Sequence, residues 1–458
     1  MGSSYRHLLA ASILAGGALA CCLPRSAGAA VPAASTPPMG WNSYDAYGTT
    51  VSEAQFRANA RWMSRHLARY GWRYAVIDAE WFVRNPTPSG GAAGELYVLD
   101  GYGRYVPAPN RFPSAAGGAG FKPLADYVHS LGLKFGIHIL RGIPREAVAR
   151  NLPIEGSPYT AAQAVDIRSR CPWNPDNYGV DVHRAAGQAY YDSIARLYAS
   201  WGVDFIKADC IASHPYAGQE IRMLSAALAA SGRDMMLSLS PGPAPIGKLA
   251  ALRRHATMWR ISNDVWDLWH STVEYPQGVG DQFARAARWA PLAEPGHWPD
   301  ADMLALGYLG PAPGWGEPRE GRLTRAEQRT YLTLWCIARS PLFMGGNLTR
   351  MDRRTEGLLE NPEVLAVDQH ATHAHQALAR DGFVVWLSQP AGGAGWYLAA
   401  FNVKSRVRTL AVSWRELKLP RTRYTVRDLW QHRDRGVASG LSVHLDAHGA
   451  ALYRLLPR

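Results

Sequence analysis

Residues 187–209 read GQAYYDSIARLYASW and then GVDFIKAD, and this stretch decides the fold. In residues 187–201 apolar side chains recur three and four residues apart, which predicts a helix with one buried face. Residues 204–209 form a short apolar run that ends at Asp209, which is typical of a buried strand. A helix that leads directly into a buried strand is the repeating unit of a parallel sheet covered by helices.

The same alternation of strand and helix extends from residue 39 to residue 347. Further helices are predicted at residues 52–70, 220–232 and 325–339. Eight strand-like runs are predicted, at residues 39–44, 74–78, 134–139, 204–209, 235–240, 258–262, 297–304 and 341–346. Eight such units favour a closed (β/α)8 TIM barrel over an open doubly wound sheet, since no GxGxxG turn follows the first strand.

The pattern changes after Asp368. Short strand-like runs separated by Gly, Pro and charged turns follow at residues 383–388, 395–402, 409–412, 424–428 and 441–445. These runs predict an antiparallel β-sandwich. The predicted domains are a catalytic barrel at residues 36–372 and a β-sandwich at residues 373–458. His373 and His375 at the boundary are interpreted as part of a solvated linker.

The first 29 residues are predicted to be a signal peptide. Arg6 and His7 precede an apolar run at residues 8–23, and Ala27-Gly28-Ala29 supplies a small-residue cleavage site. The run is too short and too interrupted by glycine for a membrane anchor. We therefore expect export, either to a periplasm or to the exterior, and no membrane partner once the signal is removed.

The formal net charge of the chain is +12, which is compatible with an anionic partner. The arginines are scattered, however, and the densest stretch, residues 421–435, also holds Asp428 and Asp434. A nucleic-acid partner needs the basic charge gathered on one face together with stacking aromatics. We therefore expect a basic solvated surface and no nucleic-acid partner.

Export would leave three cysteines in the chain, Cys171, Cys210 and Cys336. An oxidising compartment then allows one disulfide and one leftover thiol. Cys336 lies in an apolar helical stretch and is expected to be the buried thiol, which leaves Cys171 and Cys210 as the candidate bridge. The three cysteines have no CxxC spacing, so no zinc site is predicted.

Five carboxyl groups follow the apolar strand-like runs, where the mouth of a barrel is expected. They are Asp78, Asp209, Asp264, Asp300 and Asp302. For any one of them, a helix cap or a structural hydrogen bond is the alternative interpretation. Lys207 and Arg260 lie in the two strands that carry Asp209 and Asp264, where they are expected to keep one acid ionised and to bind hydroxyl groups.

Indole side chains are expected on the same rim. They are Trp41, Trp81, Trp259 and Trp298. Facing carboxyl groups beside indoles suit glycoside hydrolysis, because sugars present apolar faces to indoles and polar edges to acids. A retaining mechanism needs two carboxyl groups about 5 to 5.5 Å apart, a separation that neighbouring barrel strands can supply. The residues themselves therefore indicate a carbohydrate enzyme.

Six short motifs stand in order along the predicted barrel. They are Pro37-Pro38-Met39-Gly40-Trp41-Asn42-Ser43, Ile77-Asp78, Trp201-Gly202-Val203-Asp204-Phe205-Ile206-Lys207, Trp259-Arg260, Asp300-Ala301-Asp302-Met303-Leu304 and Ser340-Pro341-Leu342-Phe343-Met344. In these motifs the chain resembles glycoside hydrolase family 27, the α-galactosidase and α-N-acetylgalactosaminidase family. The resemblance implies a retaining mechanism on terminal α-linked sugars, without a metal or a cofactor.

The resemblance also implies residue roles. The family's nucleophile, two residues after the Lys of the fourth strand, corresponds to Asp209. Its acid/base, four residues after the Arg of the sixth strand, corresponds to Asp264, and the nearby Asp267 is interpreted as a helix-start residue. The family's disulfide beside the nucleophile corresponds to Cys171 and Cys210, in agreement with the cysteine count.

The sugar-binding positions follow the family only in part. The predicted substrate-binding residues are Trp41, Tyr44, Asp78, His138, Lys207, Ser240, Arg260, Asp302 and Met303. The family's paired Asp-Asp, which grips O4 and O6 of the sugar, is here Asp78-Ala79. Tyr44 and His138 replace a Trp and a Tyr of the family, and Ser240 replaces a Glu that is typical of galactosidases. The loss of a hydrogen-bonding acid is expected to change which sugar the pocket prefers.

These observations leave three hypotheses for function. The first is an α-galactosidase that hydrolyses terminal α-linked galactose from oligosaccharides or polysaccharides. The second is a relative with another substrate: an isomaltose-releasing dextranase, a β-L-arabinopyranosidase or an α-N-acetylgalactosaminidase. The third, an inactive carbohydrate-binding barrel, requires a missing nucleophile or acid, whereas Asp209 and Asp264 are both present.

Overall fold

The computed structural model describes residues 1–2 and 34–458 of the chain. The predicted signal peptide, apart from its first two residues, lies outside the described residues. Within the described part of the chain, no helix is both long enough and apolar enough to cross a bilayer.

Eight parallel strands curl into a barrel, which confirms the predicted TIM fold. Strands β1–β8 are Met39–Asn42, Tyr74–Ile77, Lys134–Leu140, Phe205–Asp209, Met236–Leu239, Met258–Arg260, Trp298–Asp300 and Leu342–Met344. They pair in the order β7-β6-β5-β4-β3-β2-β1-β8. Leu304, just beyond β7, closes the barrel through a parallel bridge to Met344 of β8. The Leu304 amide donates to the carbonyl of Phe343 at 2.7 Å there.

One set of strand side chains fills the interior of the barrel. Its members are Tyr74, Val76, Phe205, Met236, Met258, Trp298 and Phe343. The rings of Tyr74, Phe205 and Phe343 come from β2, β4 and β8, and their centroids lie 5.3 to 6.3 Å apart. Contacts between strands that are not neighbours require side chains that point inward, since neighbouring residues of a strand point to opposite faces.

The alternate residues of the strands point outward to the helices. Trp41 of β1 illustrates this, because its ring lies 5.7 Å from that of Phe56 on the following helix. Twelve α-helices, α1–α12, occur among the described residues: Tyr44–Tyr47, Glu53–His66, Lys122–Ser130, Arg145–Ala149, Ala161–Ala164, Ala185–Trp201, Gly218–Ala230, Leu249–His255, Gln282–Trp289, Arg325–Ala338, Arg353–Leu359 and Pro362–His370. The four predicted helices correspond to α2, α6, α7 and α10.

Helix α2 shows why the predicted and observed bounds differ. It begins with a capping box, in which the Ser52 side chain accepts from the Gln55 amide and the Gln55 side chain accepts from the Ser52 amide. It ends at His66, four residues before the predicted end. A 3-10 turn, Ala68–Tyr70, follows and stops at Gly71, whose φ of 99° is left-handed.

Helix α10, Arg325–Ala338, lies between the barrel and the C-terminal domain. On one side, the indole of Trp335 donates to the carbonyl of Asp302 at 2.7 Å. On the other side, the hydroxyl of Thr330 donates to the carbonyl of His448 at 2.5 Å. The helix therefore connects the rim of the barrel to the C-terminal domain by direct hydrogen bonds.

A small antiparallel sheet, which the sequence did not predict, is inserted between β3 and β4. Its three strands are Ile143–Pro144, Val165–Arg170 and Asn177–Val180. The disulfide between Cys171 and Cys210 attaches this insert to the end of β4, which confirms the predicted bridge. Cys336 is a buried free thiol, as predicted.

The C-terminal domain is the predicted β-sandwich. Strands β9–β16 are Ala371–Arg380, Phe383–Pro390, Trp396–Asn402, Arg408–Ser413, Tyr424–Asp428, Arg433–Ala438, Gly440–Leu445 and Ala450–Pro457. Six of them form one sheet in the order β9-β10-β11-β16-β13-β14, and β12 pairs with β15. Buried side chains from both sheets, among them Leu398, Val412 and Leu455, form one core. The sequence did not predict β9, β14 or β16.

The segment with His373 and His375 is strand and not the expected linker. Both residues belong to β9, which pairs with β10 across a bulge between Thr372 and His375. His373 has a φ of 54°, as is typical where an extra residue is accommodated in a strand. The division of the chain at residue 373 stays a prediction, whereas β9 itself begins at Ala371.

Opening the disulfide is expected to lower the free energy of unfolding by about 4 kcal/mol, because the bridge joins residues 39 positions apart in sequence. The double variant Cys171→Ser/Cys210→Ser should therefore unfold at a clearly lower temperature in differential scanning calorimetry. The matched control is Cys336→Ala, which removes a buried thiol without opening a covalent loop and should cost less. A double variant as stable as the native protein would show that the bridge contributes no stability.

Candidate active site

A cavity of about 420 Å³ opens at the carboxyl ends of the barrel strands. A volume in this range holds a small ligand such as a sugar unit. The predicted site residues that line it are Tyr44, Asp78, His138, Lys207, Asp209, Ser240, Asp264, Asp302 and Met303. The cavity therefore brings together both predicted catalytic acids and all but two of the predicted substrate-binding residues.

The alternation of side chains along the strands explains this assembly. Asp78 lies two residues after the inward-facing Val76, and Lys207 and Asp209 lie two and four residues after the inward-facing Phe205. An even spacing keeps a side chain on the same face of its strand. The polar residues therefore continue the inward-facing column of each strand and reach the mouth, where the apolar filling stops.

Asp209 ends β4 with one carboxylate oxygen free. Its Oδ1 is buried and has no hydrogen-bond partner among the described residues. Its Oδ2 lies 3.5 Å from Nε2 of His138. Burial alone would raise the pKa of Asp209, but the hydrogen bond with His138 and the charge of Lys207 outweigh burial and lower that pKa. Asp209 is therefore a partly buried, ionised carboxylate whose side chain is 20% exposed and lines the cavity.

Asp78 and Lys207 form a buried ion pair on the wall of the cavity. Oδ2 of Asp78 accepts from Nζ of Lys207 at 2.7 Å and from Nδ2 of Asn42 at 2.6 Å. These partners overcome the effect of burial and hold the pKa of Asp78 well below its usual range. Burial would lower the pKa of Lys207, but the surrounding carboxylates raise it. Both groups are therefore charged, and the other donors of Lys207 remain available for a ligand.

Arg260 holds Asp264 and Asp302 together. Its Nη2 donates to Oδ1 of Asp264 at 3.1 Å, and its Nη1 lies 2.6 Å from Oδ1 of Asp302. Burial raises the pKa of Asp302 to about 7 in spite of Arg260, with further increases from Asp264 and Asp300. The Asp264 side chain is 32% exposed, whereas that of Asp302 is 2% exposed. Asp264 is therefore the member of this group that solvent and substrate reach most easily.

Two predicted substrate-binding residues do not line the cavity. Trp41 is fully buried and faces the helices, and its indole donates to the carbonyl of Gly346 at 2.8 Å. Trp41 lies away from the cavity because it is on the outward face of β1. Arg260 is 2% exposed and lies beneath the cavity, where its guanidinium contacts the acids. The contacts of Arg260 in the structure are with acids, and its expected role in binding hydroxyl groups stays a prediction.

The other indoles expected on the rim are also buried. Trp81 donates to the carbonyl of His138 at 2.8 Å and so fixes the backbone of a cavity residue. Trp259 faces outward and packs against Trp289, with ring centroids 6.2 Å apart. Trp298 belongs to the apolar filling of the barrel. None of these three indoles lines the cavity.

Two further acids have structural roles. Asp300, expected on the rim, is 6% exposed, and its Oδ1 accepts from the amide of Asp302 at 2.9 Å. Asp267, interpreted as a helix-start residue, instead forms a buried ion pair with Arg319 at 2.5 Å. It also accepts from the amide of Arg322 at 3.0 Å. Asp267 thus attaches the loop after β6 to the segment before α10.

Several cavity residues were missed from the sequence. They are Asp45, Ala79, Glu80, Trp173, Asn174, Asn263, Trp266 and Tyr275, of which only Ala79 had been noted as a departure from the family. Trp266 lies two residues after Asp264, so proximity to a predicted acid was the available signal. Trp173 belongs to the unpredicted insert, and its position two residues after Cys171 of the predicted bridge was the available signal.

The acids at the strand ends are accompanied by Lys207 and Arg260, and among the described residues they form no cluster that would hold a cation. A second group of three acids, Glu80, Glu95 and Asp176, lies at the wall of the cavity, which Glu80 lines.

Comparisons with known proteins agree with this architecture. Residues 180–370 match the family described as alpha galactosidase A, and residues 380–455 match the alpha galactosidase C-terminal beta sandwich domain. The α-galactosidase of Cyamopsis tetragonoloba is 28% identical over 429 residues, which are 92% of this chain and 87% of that protein.

Solved structures include relatives of higher identity. A family 27 β-L-arabinopyranosidase from Geobacillus stearothermophilus is 45% identical with a TM-score of 0.88, and the match covers 93% of this chain and 97% of that chain. A variant of that enzyme has been solved in complex with arabinose. A Bacillus halodurans protein provisionally assigned as an α-N-acetylgalactosaminidase is 38% identical with a TM-score of 0.81, and the match covers 92% and 97% of the two chains.

Replacing His138 is expected to move the acidic limb of the pH profile. His138→Phe removes the hydrogen bond that lowers the pKa of Asp209, so that pKa rises and the ionised form is lost at a higher pH. The acidic limb of kcat/KM on a nitrophenyl glycoside should therefore shift to higher pH. Ser240→Ala is the matched control, because Ser240 lines the same cavity without contacting Asp209. An unshifted acidic limb in His138→Phe would contradict this account.

Proposed function

Because this chain belongs to glycoside hydrolase family 27, we propose that it is a retaining exo-glycosidase whose first substrates are terminal β-L-arabinopyranosides, with α-galactosides second. Family membership makes the chain a glycoside hydrolase related to α-galactosidases. The substrate of such an enzyme is a carbohydrate. Beyond family membership, we propose which sugar the enzyme accepts and which role each residue has.

The proposed mechanism is a double displacement by two carboxyl groups. A carboxylate oxygen of Asp209 attacks the anomeric carbon, and the bond from that carbon to the leaving oxygen breaks as Asp264 gives that oxygen its proton. In the second step Asp264 takes a proton from water, the water oxygen bonds to the anomeric carbon, and Asp209 leaves. The lowered pKa of Asp209 supports the role of nucleophile, and the exposure of Asp264 supports proton exchange with leaving group and water.

The proposed preference for one sugar rests on Ala79. It lines the cavity next to Asp78, at the position where the family places an acid that grips the sugar. α-Galactopyranosides and β-L-arabinopyranosides present the same ring hydroxyls, but only the galactoside carries a hydroxymethyl group at C5. A hydroxyl that loses water without gaining a partner costs about 1–3 kcal/mol. A wall without the second carboxylate therefore favours the sugar that lacks this group.

The comparisons support the same order of substrates. From the sequence alone, α-galactosidase was the first hypothesis and β-L-arabinopyranosidase was among the alternatives. The β-L-arabinopyranosidase relative is 45% identical to this chain, whereas the α-galactosidase relative from Cyamopsis tetragonoloba is 28% identical. Together with Ala79, this difference supports our proposal of the arabinopyranoside first and the galactoside second.

Exposed aromatic side chains at the edge of the cavity support the proposal that the enzyme removes a terminal sugar from its substrate. Trp173 and Tyr275 line the cavity, and they are 46% and 41% exposed. Exposed aromatic rings at a polar site offer flat apolar surfaces to a sugar or aryl leaving group. We place the terminal sugar inside the cavity and the leaving group against these two rings.

Export also belongs to this proposal. The disulfide at the end of β4 is compatible with folding in an oxidising compartment, whether a periplasm or the exterior. The expected signal peptide points to the same compartments.

Replacing the nucleophile is expected to stop turnover without preventing binding. Asp209→Asn keeps the size of the side chain but removes the charge that attacks the sugar, so turnover of a nitrophenyl glycoside should fall by several orders of magnitude. Titration calorimetry with the free sugar should still detect binding, which also shows that the variant is folded. Turnover comparable to that of the native enzyme would refute the mechanism.

A panel of substrates tests the choice of sugar. We expect kcat/KM to be highest for nitrophenyl β-L-arabinopyranoside, lower for the α-galactoside and lowest for the α-N-acetylgalactosaminide, with dextran not cleaved. Ala79→Asp should raise the galactoside to arabinopyranoside ratio at least about tenfold, because a hydrogen bond to a charged group contributes about 1.5–3 kcal/mol. Ala79→Leu is the control that fills the space without a hydrogen-bonding group. No release from the arabinopyranoside, or an unchanged ratio in Ala79→Asp, would overturn the assignment.

A further inference from the structure

Three carboxylates lie together beside the cavity without taking part in the proposed mechanism. Glu80, Glu95 and Asp176 are 2%, 8% and 4% exposed. One oxygen from each lies within 4.8 Å of one oxygen from each of the others. Glu80 and Glu95 lie in the loop after β2 and Asp176 lies in the insert between β3 and β4, and the fold brings the three together.

The three acids have no cationic partner. Among residues 34–458, no Lys, Arg or His forms an ion pair with any of them. The nearby guanidinium of Arg111 is occupied by backbone carbonyls, among them those of Glu80 and Val83 at 2.7 and 2.9 Å. Buried charges are normally paired or bound to a metal, because burial removes their hydration. Among the described residues, this cluster has no cationic side chain that pairs with its charges.

Glu80 supplies an independent sign of a missing ligand. Its Oε1 accepts from the amide of Gly91 at 2.7 Å and from Nδ2 of Asn174 at 3.3 Å. Its Oε2 is buried and has no hydrogen-bond partner among the described residues. A buried carboxylate oxygen that faces other acids is in the surroundings that a cation would satisfy.

We propose that Glu80, Glu95 and Asp176 bind a divalent cation of the calcium class. All three donors are carboxylate oxygens, the ligands that calcium prefers at 2.3–2.6 Å, and two oxygens on one such ion lie at most about 5 Å apart. The cluster offers neither a thiolate nor an imidazole, which disfavours zinc and copper. Several carboxylate oxygens with water completing the shell suit calcium better than the rigid octahedron of magnesium.

The cation would hold the wall of the cavity in place. Glu80 follows Ala79, and Asp176 follows the segment with Trp173 and Asn174, so two of the three ligands adjoin residues that line the cavity. Glu95 belongs to the loop between them in sequence. The ion thus joins the loop after β2 to the insert between β3 and β4. It has no part in the sugar chemistry, and its binding does not depend on which sugar the enzyme accepts.

The experiment uses the full-length protein dialysed against a chelator and then freed of it. Addition of CaCl2 should raise the unfolding temperature by several degrees in scanning calorimetry, because a ligand that binds only the folded state stabilises it. Terbium should give luminescence on excitation of tyrosine, since the Tyr97 hydroxyl donates to Asp176 at 2.7 Å, and calcium should suppress that signal by competition. Glu95→Gln should abolish both responses.

A matched control and the behaviour without metal separate ligation from a structural role. Glu146→Gln alters an exposed acid that pairs with Arg150, and it should keep both responses. Without metal, Glu95→Gln should be at least as stable as the native protein, because it removes repulsion between like charges; a purely structural Glu95 would make it less stable. If Glu95→Gln does not fold, the calcium and terbium titrations of the native protein decide. No change in unfolding temperature at millimolar calcium, or a stronger response to magnesium, would overturn the proposal.

Discussion

Successive side chains of a β-strand point to opposite faces of the sheet, and this constraint organises the molecule. On β4 it places Phe205 in the apolar filling of the barrel and Lys207 and Asp209 above it in the same column. The outward residues of the same strands pack against helices, as Trp41 does against Phe56. Because every strand obeys the rule, the barrel interior changes from apolar to polar at one level, and the cavity begins there.

The charges at that level are balanced in separate groups. Lys207 is paired with Asp78, and Arg260 is shared by Asp264 and Asp302. Asp209 has neither cation as a direct partner and depends on the nearby His138. This division leaves Asp209 as an ionised carboxylate without a direct Lys or Arg partner among the described residues. Within residues 34–458, the three acids Glu80, Glu95 and Asp176 also lack such a partner, which is why we propose a ligand there that the chain does not supply.

Sequence patterns predicted the barrel, the sandwich, the disulfide and nine of the residues that line the cavity, since strand-end acids and ordered motifs both depend on the regular part of the fold. They were wrong for Trp41, because an apolar run shows that a strand is buried but not which of its residues face inward. They were also wrong for Asp267, whose partner Arg319 lies 52 residues away in sequence. Trp173 and Glu80 were missed because both lie in loops, which have no periodic pattern.

Helix α10 has a consequence for how this protein can be divided. Trp335 on one face of the helix holds the backbone of Asp302, and Thr330 on another face holds the backbone of His448 in the sandwich. A single rigid element thus bonds to a cavity residue and to the C-terminal domain. The sandwich is consequently not an accessory module that can be exchanged between barrels. A chimera with a foreign C-terminal domain has to reproduce the hydrogen bond from Thr330. Without it, helix α10 is held less firmly, and so is the backbone of Asp302 to which Trp335 donates.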